Sequence, residues 1–247
     1  MCFVVFTSDK YLSLLHGFSE LFNKYWDPNQ HVHVLGFKEP SFKLPSNFEF
    51  ISAGKEEDFE PKAFCGPFEP ILKDLPGETL TYFLEDTFLI SPLRKETYLK
   101  AKELIIEGKA HKVQLFWGGP EQYTKTLPYD ETFRVFPQNL NYRCNLAPSV
   151  INKEYFLQYF TQSFTVWEFE LYNMERARND QANILVSWRD PISPWFNVVR
   201  HGRFNNEQWT RIEQSNENRF AWNKFQFIDN SDMDIFLRYK NWTAAEQ

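Results

Sequence analysis

Residues Thr79 to Ile90 read TLTYFLEDTFLI: an apolar run from Thr79 to Leu84, two adjacent carboxylates, Glu85 and Asp86, and an apolar return through Phe88 to Ile90. A short run rich in aromatic and β-branched residues predicts a buried strand. Burying an unpaired carboxylate costs several kcal/mol, about the net stability of a small domain. The acid pair is therefore expected at a strand end, with partners, or on a cation.

Working outward from this strand, the chain alternates between two periodicities. Upstream, Cys2 to Phe6 (CFVVF) predicts a strand, and Thr7-Ser8-Asp9 supplies turn and helix-cap chemistry. Tyr11, Leu14, Leu15, Phe18, Leu21, Phe22 and Tyr25 then recur at spacings of three and four, which marks one buried helical face. Further strands are predicted at His31 to Leu35 and Phe48 to Ile51, and a helix within Pro67 to Leu75. Downstream, Pro92 is placed to open a helix running to about Ile106, and Val113 to Trp117 reads as another strand. Strand, helix, strand alternation predicts an α/β fold with a mostly parallel central sheet flanked by helices.

After Trp117, Gly118-Gly119-Pro120, Pro128, Pro137 and Pro148 break the pattern, and this half reads as loop-rich. Helices are expected at Asn152 to Phe160, Trp167 to Arg178 and Asn206 to Asn216, with strands at Asn183 to Ser187 and Phe196 to Val199. With no repeat or flexible linker, residues 1–247 are expected to form one domain of two functional halves, meeting near residue 117.

Composition narrows the function. The 27 basic and 33 acidic residues leave a net charge of −6, and no basic cluster offers a nucleic-acid backbone its usual counterpart. Cys2, Cys65 and Cys144 are odd in number and lack the spacing of a structural zinc site, which fits a reducing compartment. No basic leader precedes an apolar stretch, and no run approaches the about 18 apolar residues of a membrane span. A cytoplasmic protein is expected, and a peripheral membrane contact is compatible with this. The 18% aromatic share suits core filling, and it also suits sugar stacking.

In open parallel sheets ligands bind beyond the carboxyl ends of the strands. Thr7, Ser8 and Asp9 follow one predicted strand and Glu85 and Asp86 another, so the two groups share an edge if their strands are neighbours. The first group reads equally as a helix cap and the second as a solvated turn. A carboxylate pair also suits a hard divalent ion such as Mg²⁺ or Mn²⁺. On a helix Glu168 and Glu170 would point about 200° apart, so only one of them could face a given site. Acids there also fit a helix amino terminus. Arg200 and Arg203 could clamp phosphates or remain solvated, and His201 between them could serve as a ligand or as a surface residue.

The segments FTSDKYLSLLHGFSELFNKYW, LTYFLEDTFLI, NYRCNLAPSVINKEYFLQYF and TVWEFEL, in that order, resemble a family of bacterial and phage glycosyltransferase-like proteins with the GT-A fold. There an acidic element of the EDYF type replaces the DxD motif and a PWEFE element follows. The chain departs from that pattern at Thr87, where an aromatic is common, and at Val166, where Pro is common. The resemblance implies a GT-A-like sheet with a loop-rich acceptor side, and a nucleotide-sugar donor at Thr7, Ser8, Asp9 and Tyr11. It places Glu85 and Asp86 at the diphosphate and metal, with Asp86 the direct ligand of Mn²⁺ or Mg²⁺ and His201 a late second ligand. It makes Glu170, or in its stead Glu168, the catalytic base toward a glycan or lipopolysaccharide-type acceptor, with inversion at the sugar. Two other readings stand beside it: a non-catalytic carbohydrate-binding protein, and a nucleotidyltransferase. The latter usually carries a glycine-rich basic loop near its start, where this chain has only Gly17 among its first 20 residues.

Overall fold

The computed structural model describes residues 2–59, 64–115, 125–160, 164–187, 192, 195–207, 209–210 and 232–244. The opening strand β1 (Cys2–Phe6) is buried along its whole length, as a central strand covered on both faces must be. Its residues alternate between two cores. Phe3 and Val5 join α1 (Leu14–Tyr25) in one, and Val4 and Phe6 join α2 (Cys65–Asp74) in the other.

Among the described residues nine strands make one sheet in the order β3-β2-β1-β4-β9-β6-β10-β8-β7. These are β2 (Val32–Gly36), β3 (Phe48–Ser52), β4 (Thr79–Leu84), β6 (Lys112–Gln114), β7 (Leu127–Pro128), β8 (Phe133–Val135), β9 (Ser149–Asn152) and β10 (Ile184–Ser187), with β1. Only β8 and β9 run against the other seven strands. The predicted α/β architecture with a mostly parallel sheet is therefore present. Helices, α3 (Lys95–Ile106) among them, cover both faces. Two small pairs lie outside the sheet: β5 (Thr87–Leu89) with β11 (Trp195–Asn197), and β12 (Val199–Arg200) with β13 (Arg203–Phe204).

Several boundaries differ from the sequence pattern, each for a local reason. The helix after Pro92 begins at Lys95, because Leu93 N–H donates to the Tyr25 carbonyl and Arg94 N–H to that of Ile192, which keeps this stretch extended. The helix expected over Trp167 to Arg178 is two, Val166–Tyr172 and Met174–Asn179. They part at buried Asn173, whose amide donates to the Tyr159 carbonyl. The largest difference is β9, a strand where the sequence reads loop and then helix; Ser149–Asn152 is wedged antiparallel between β4 and β6. The second half is thus less irregular than expected, contributing four strands to the common sheet. The strand expected at Val113 to Trp117 is Lys112–Gln114, and Phe116 and Trp117 lie outside the described residues, as do Gly118-Gly119-Pro120 and most of the helix expected at Asn206 to Asn216.

Candidate functional site

β1 and β4 pair in parallel and end in step, Phe6 opposite Leu84. The register therefore delivers Thr7-Ser8 and Glu85-Asp86 side by side at the carboxyl edge, where open α/β sheets bind ligands. Glu85 N–H donates to the Phe6 carbonyl and Thr7 N–H to that of Leu35, tying three strand ends together. Gly36 makes the junction close: a Cβ there would meet Thr7 Cγ2 at 2.7 Å, so the position demands glycine.

Glu85 is buried, and burial followed by the charge of Asp86 pushes its carboxyl well above the usual range. Donation from the Ser8 backbone and the Thr7 hydroxyl opposes that push without reversing it. Asp86 is raised to about 7 by burial. Its backbone carbonyl accepts from Val198 N–H at 2.8 Å. With the Asn197 amide oriented to satisfy its neighbours, Nδ2 donates to Asp86 Oδ2 at 2.6 Å and to the Val199 carbonyl at 3.1 Å. The other oxygen, Asp86 Oδ1, is shielded from solvent and has no hydrogen-bond partner. Tyr11 stands close enough for burial and both acids to raise its phenol. Ser8 begins a short 3₁₀ turn, Asp9–Tyr11, but makes no capping bond with its side chain. Asp9 is engaged elsewhere, accepting from Lys38 N–H at 3.0 Å.

A second polar group adjoins the same edge. Ser149 of β9 lies opposite Tyr82 of β4, so residues 145–148 run on beside the carboxyl end of β4. Glu170 Oε1 accepts from Leu146 N–H at 2.7 Å, and burial raises its carboxyl against that bond and the charge of Lys112. Lys112 is buried, which lowers it to about 8, and its Nζ donates to the Asn145 carbonyl at 2.6 Å and to Asn145 Oδ1 at 3.0 Å. Tyr82 donates to the same carbonyl at 3.2 Å. Glu168 is occupied differently. It closes a capping box with Thr165, its Oε2 accepting from Thr165 N–H at 2.9 Å while Thr165 Oγ1 accepts from Glu168 N–H at 3.2 Å.

The structure thus brings Thr7, Ser8, Tyr11, Glu85 and Asp86 together, sets Glu170 beside the same sheet edge, and turns Asp9 and Glu168 to local hydrogen bonds. Arg200, His201 and Arg203 form a hairpin beyond Asn197. Arg200 pairs with Glu207, and His201 is exposed at the tip with φ of 52°. Among the described residues no interaction joins His201 to Asp86. Sequence reading missed Asn197, Lys112, Asn145 and Tyr82. The signal for Lys112 was a charge inside a strand pattern, and for Asn197 an amide among aromatic and branched residues.

The donor set is all oxygen, and an orphaned carboxylate oxygen is a place for a cation. Asp86 and Glu85 therefore fit a hard divalent ion.

No protein-family model matches the chain, and no curated protein matches it by sequence. Among solved structures, S. aureus TarS 1–349 in complex with UDP is similar over 97% of this chain and 70% of that one, at 14% identity and a TM-score of 0.51. Another TarS 1–349 structure matches over 78% of this chain at 15% identity and a TM-score of 0.47, and this chain spans 60% of its length. A cytidylyltransferase from Leptospira borgpetersenii covers 98% of this chain and 97% of its own at 9% identity, with a TM-score of 0.47. The likeness to the UDP-bound TarS structure is one of fold.

Proposed function

We propose that the chain is a glycosyltransferase that draws its sugar from a nucleotide-sugar donor seated where β1 and β4 end, and passes it to a glycan or glycolipid. The observation that carries this reading is Asp86 Oδ1, shielded and unpartnered at the point where Thr7-Ser8 and Glu85-Asp86 leave the sheet together. Asp86, with Glu85 beside it, would hold Mn²⁺ or Mg²⁺, which when bound supplies electrostatic stabilisation of a departing diphosphate. Asn197 fixes the Asp86 carboxylate through Oδ2 and leaves Oδ1 free to ligate. Thr7 and Ser8, which meet Glu85 through the hydroxyl and the backbone N–H, border the donor side of the edge.

Glu170 is the group suited to receive the proton of an acceptor hydroxyl. Leu146 N–H holds its carboxylate, and burial makes it a stronger base than an exposed glutamate. Glu168, engaged in its capping box, is the lesser candidate. If Glu170 acts as a base and no side chain acts as a nucleophile, inversion at the sugar carbon follows. Arg200 and Arg203, in the hairpin that follows Asn197, would supply guanidinium groups to the donor phosphates. The UDP held by TarS, a protein of similar fold, makes uridine diphosphate the first nucleotide to test.

The nucleotidyltransferase reading has less support, since Gly17 is a packing glycine: a Cβ there would meet Phe88 at 2.7 Å and Tyr239 at 2.8 Å. The test is turnover of UDP-, GDP-, CMP- and dTDP-sugars with and without Mn²⁺, by the wild type, Asp86→Ala and the near-isosteric Asp86→Asn. Metal-dependent turnover of one nucleotide class, lost about 100-fold or more in both folded variants, is expected. Undiminished turnover in the variants would remove Asp86 from the reaction, and no turnover with any donor and acceptor would leave a carbohydrate-binding protein.

A further inference from the structure

At the opposite edge of the sheet stands a second group of metal-binding character, independent of the acid pair. His31 precedes β2 by one residue and His33 lies within it, so the period of two puts both rings on one face. β3 is the outer strand of the sheet, and its Glu49 sits directly across from His33 in the parallel register. Glu49 Oε2 lies 3.0 Å from His31 Nε2 and 3.2 Å from His33 Nδ1, and one ligand atom from each of the three residues falls within 4.8 Å of the others. The rings meet edge to face, their centroids 4.6 Å apart. His33 Nδ1 is shielded from water, and although Glu49 is near, its direction does not make a hydrogen bond. A shielded ring nitrogen 3.2 Å from a carboxylate oxygen that also meets a second imidazole is an arrangement that a metal ion would complete.

We propose that His31, His33 and Glu49 bind a first-row transition ion, with Zn²⁺ the best match. Two imidazoles and one carboxylate suit Zn²⁺, while Mg²⁺ prefers oxygen ligands and keeps its waters. Three protein ligands leave a fourth position for water or for a group from outside the chain. The ion would clip β3, the outermost strand of the sheet among the described residues, to its neighbour β2.

The test is equilibrium dialysis of the EDTA-stripped full chain against Zn²⁺, read with thermal denaturation, for the wild type, His31→Ala, Glu49→Gln and Asp86→Ala. His31 and Glu49 are exposed, so their variants keep the fold. The expected result is one equivalent of Zn²⁺ bound with a rise in Tm, and no such rise with Mg²⁺. Affinity should fall at least about tenfold in His31→Ala and in Glu49→Gln, the lower end of what loss of even an outer partner costs, and persist in Asp86→Ala. Zn²⁺ binding that is absent, or as strong in His31→Ala and Glu49→Gln as in the wild type, would overturn the site. Loss in Asp86→Ala alone would move the ion to the acid pair and overturn it equally.

Discussion

The two acids at the end of β4 differ in circumstance although adjacent. Glu85 is buried and has donors in Thr7 and Ser8, whereas Asp86 spends one oxygen on Asn197 and leaves the other bare. That inequality is why Asp86 rather than Glu85 is proposed as the metal ligand. The same logic separates Glu170 from Glu168 as the proposed base. Glu170→Gln keeps the Leu146 N–H bond and removes the basic oxygen. It is therefore expected to lower kcat by about 10²–10⁴-fold while leaving the donor KM unchanged. An unchanged kcat would move the base elsewhere. At this scale the acid pair was legible because carboxylates interrupting an apolar run carry a cost that demands a reason. Asn197 and Lys112 were not, because an amide or an amine acquires meaning only from distant partners, here Asp86 and Asn145, that no local pattern reveals.

Among the elements, α1 carries an unusual feature. The Tyr239 hydroxyl accepts from Gly17 N–H at 2.9 Å and donates to the Ser13 carbonyl at 3.1 Å, bridging the two groups that close the first turn of the helix. Trp242 donates to Ser13 Oγ at 3.0 Å, and Lys24 pairs with Asp232 at 2.7 Å. The segment 232–244 is thereby pinned along α1, and Phe236 and Tyr239 pack on Phe88, two residues beyond Asp86. Tyr239→Phe removes both of these bonds and is expected to cost about 1–3 kcal/mol, at roughly 0.5–1.5 kcal/mol for each. Gly17→Ala should cost a similar amount by overpacking against Phe88 and Tyr239. Urea denaturation measures both, and wild-type midpoints would show the docking to be incidental. The long elements β1, α1 and β4 were legible because each carries a full period of apolar residues. β9 was not, because four residues, SVIN, running straight into the helix Lys153–Leu157 show too little of a two-residue period to stand apart from it.

Over the whole molecule, the sheet interleaves strands from both halves of the chain, so the proposed donor and acceptor sides would share one frame. Arg143, fully buried, donates to the carbonyls of Phe136, Ala177 and Ala182, and Asp180 gathers Tyr155, Tyr159, Gln138 and Ala182 N–H. Burial pushes the Asp180 carboxyl up, but the donors from Tyr159, Ala182, Tyr155 and Gln138 together outweigh it and hold the group below its ordinary value. A carboxyl depressed in the folded state adds stability that is fully present above its unfolded pKa, about 3.9, and is lost as pH falls through its folded value. Asp180→Asn is expected to lower stability at pH 7, where the charged carboxylate holds its donors, and to flatten the loss of stability below about pH 4. A variant with the wild-type acid profile would contradict this. The α/β class was legible from the alternation of periods. The strand order was not, because it depends on which short strand inserts where. The central claim is tested most directly by anomalous diffraction from a crystal grown with Mn²⁺ and UDP. The account predicts a manganese peak on the Asp86 carboxylate with the diphosphate against Thr7 and Ser8, and a peak elsewhere with no nucleotide at this edge would contradict it.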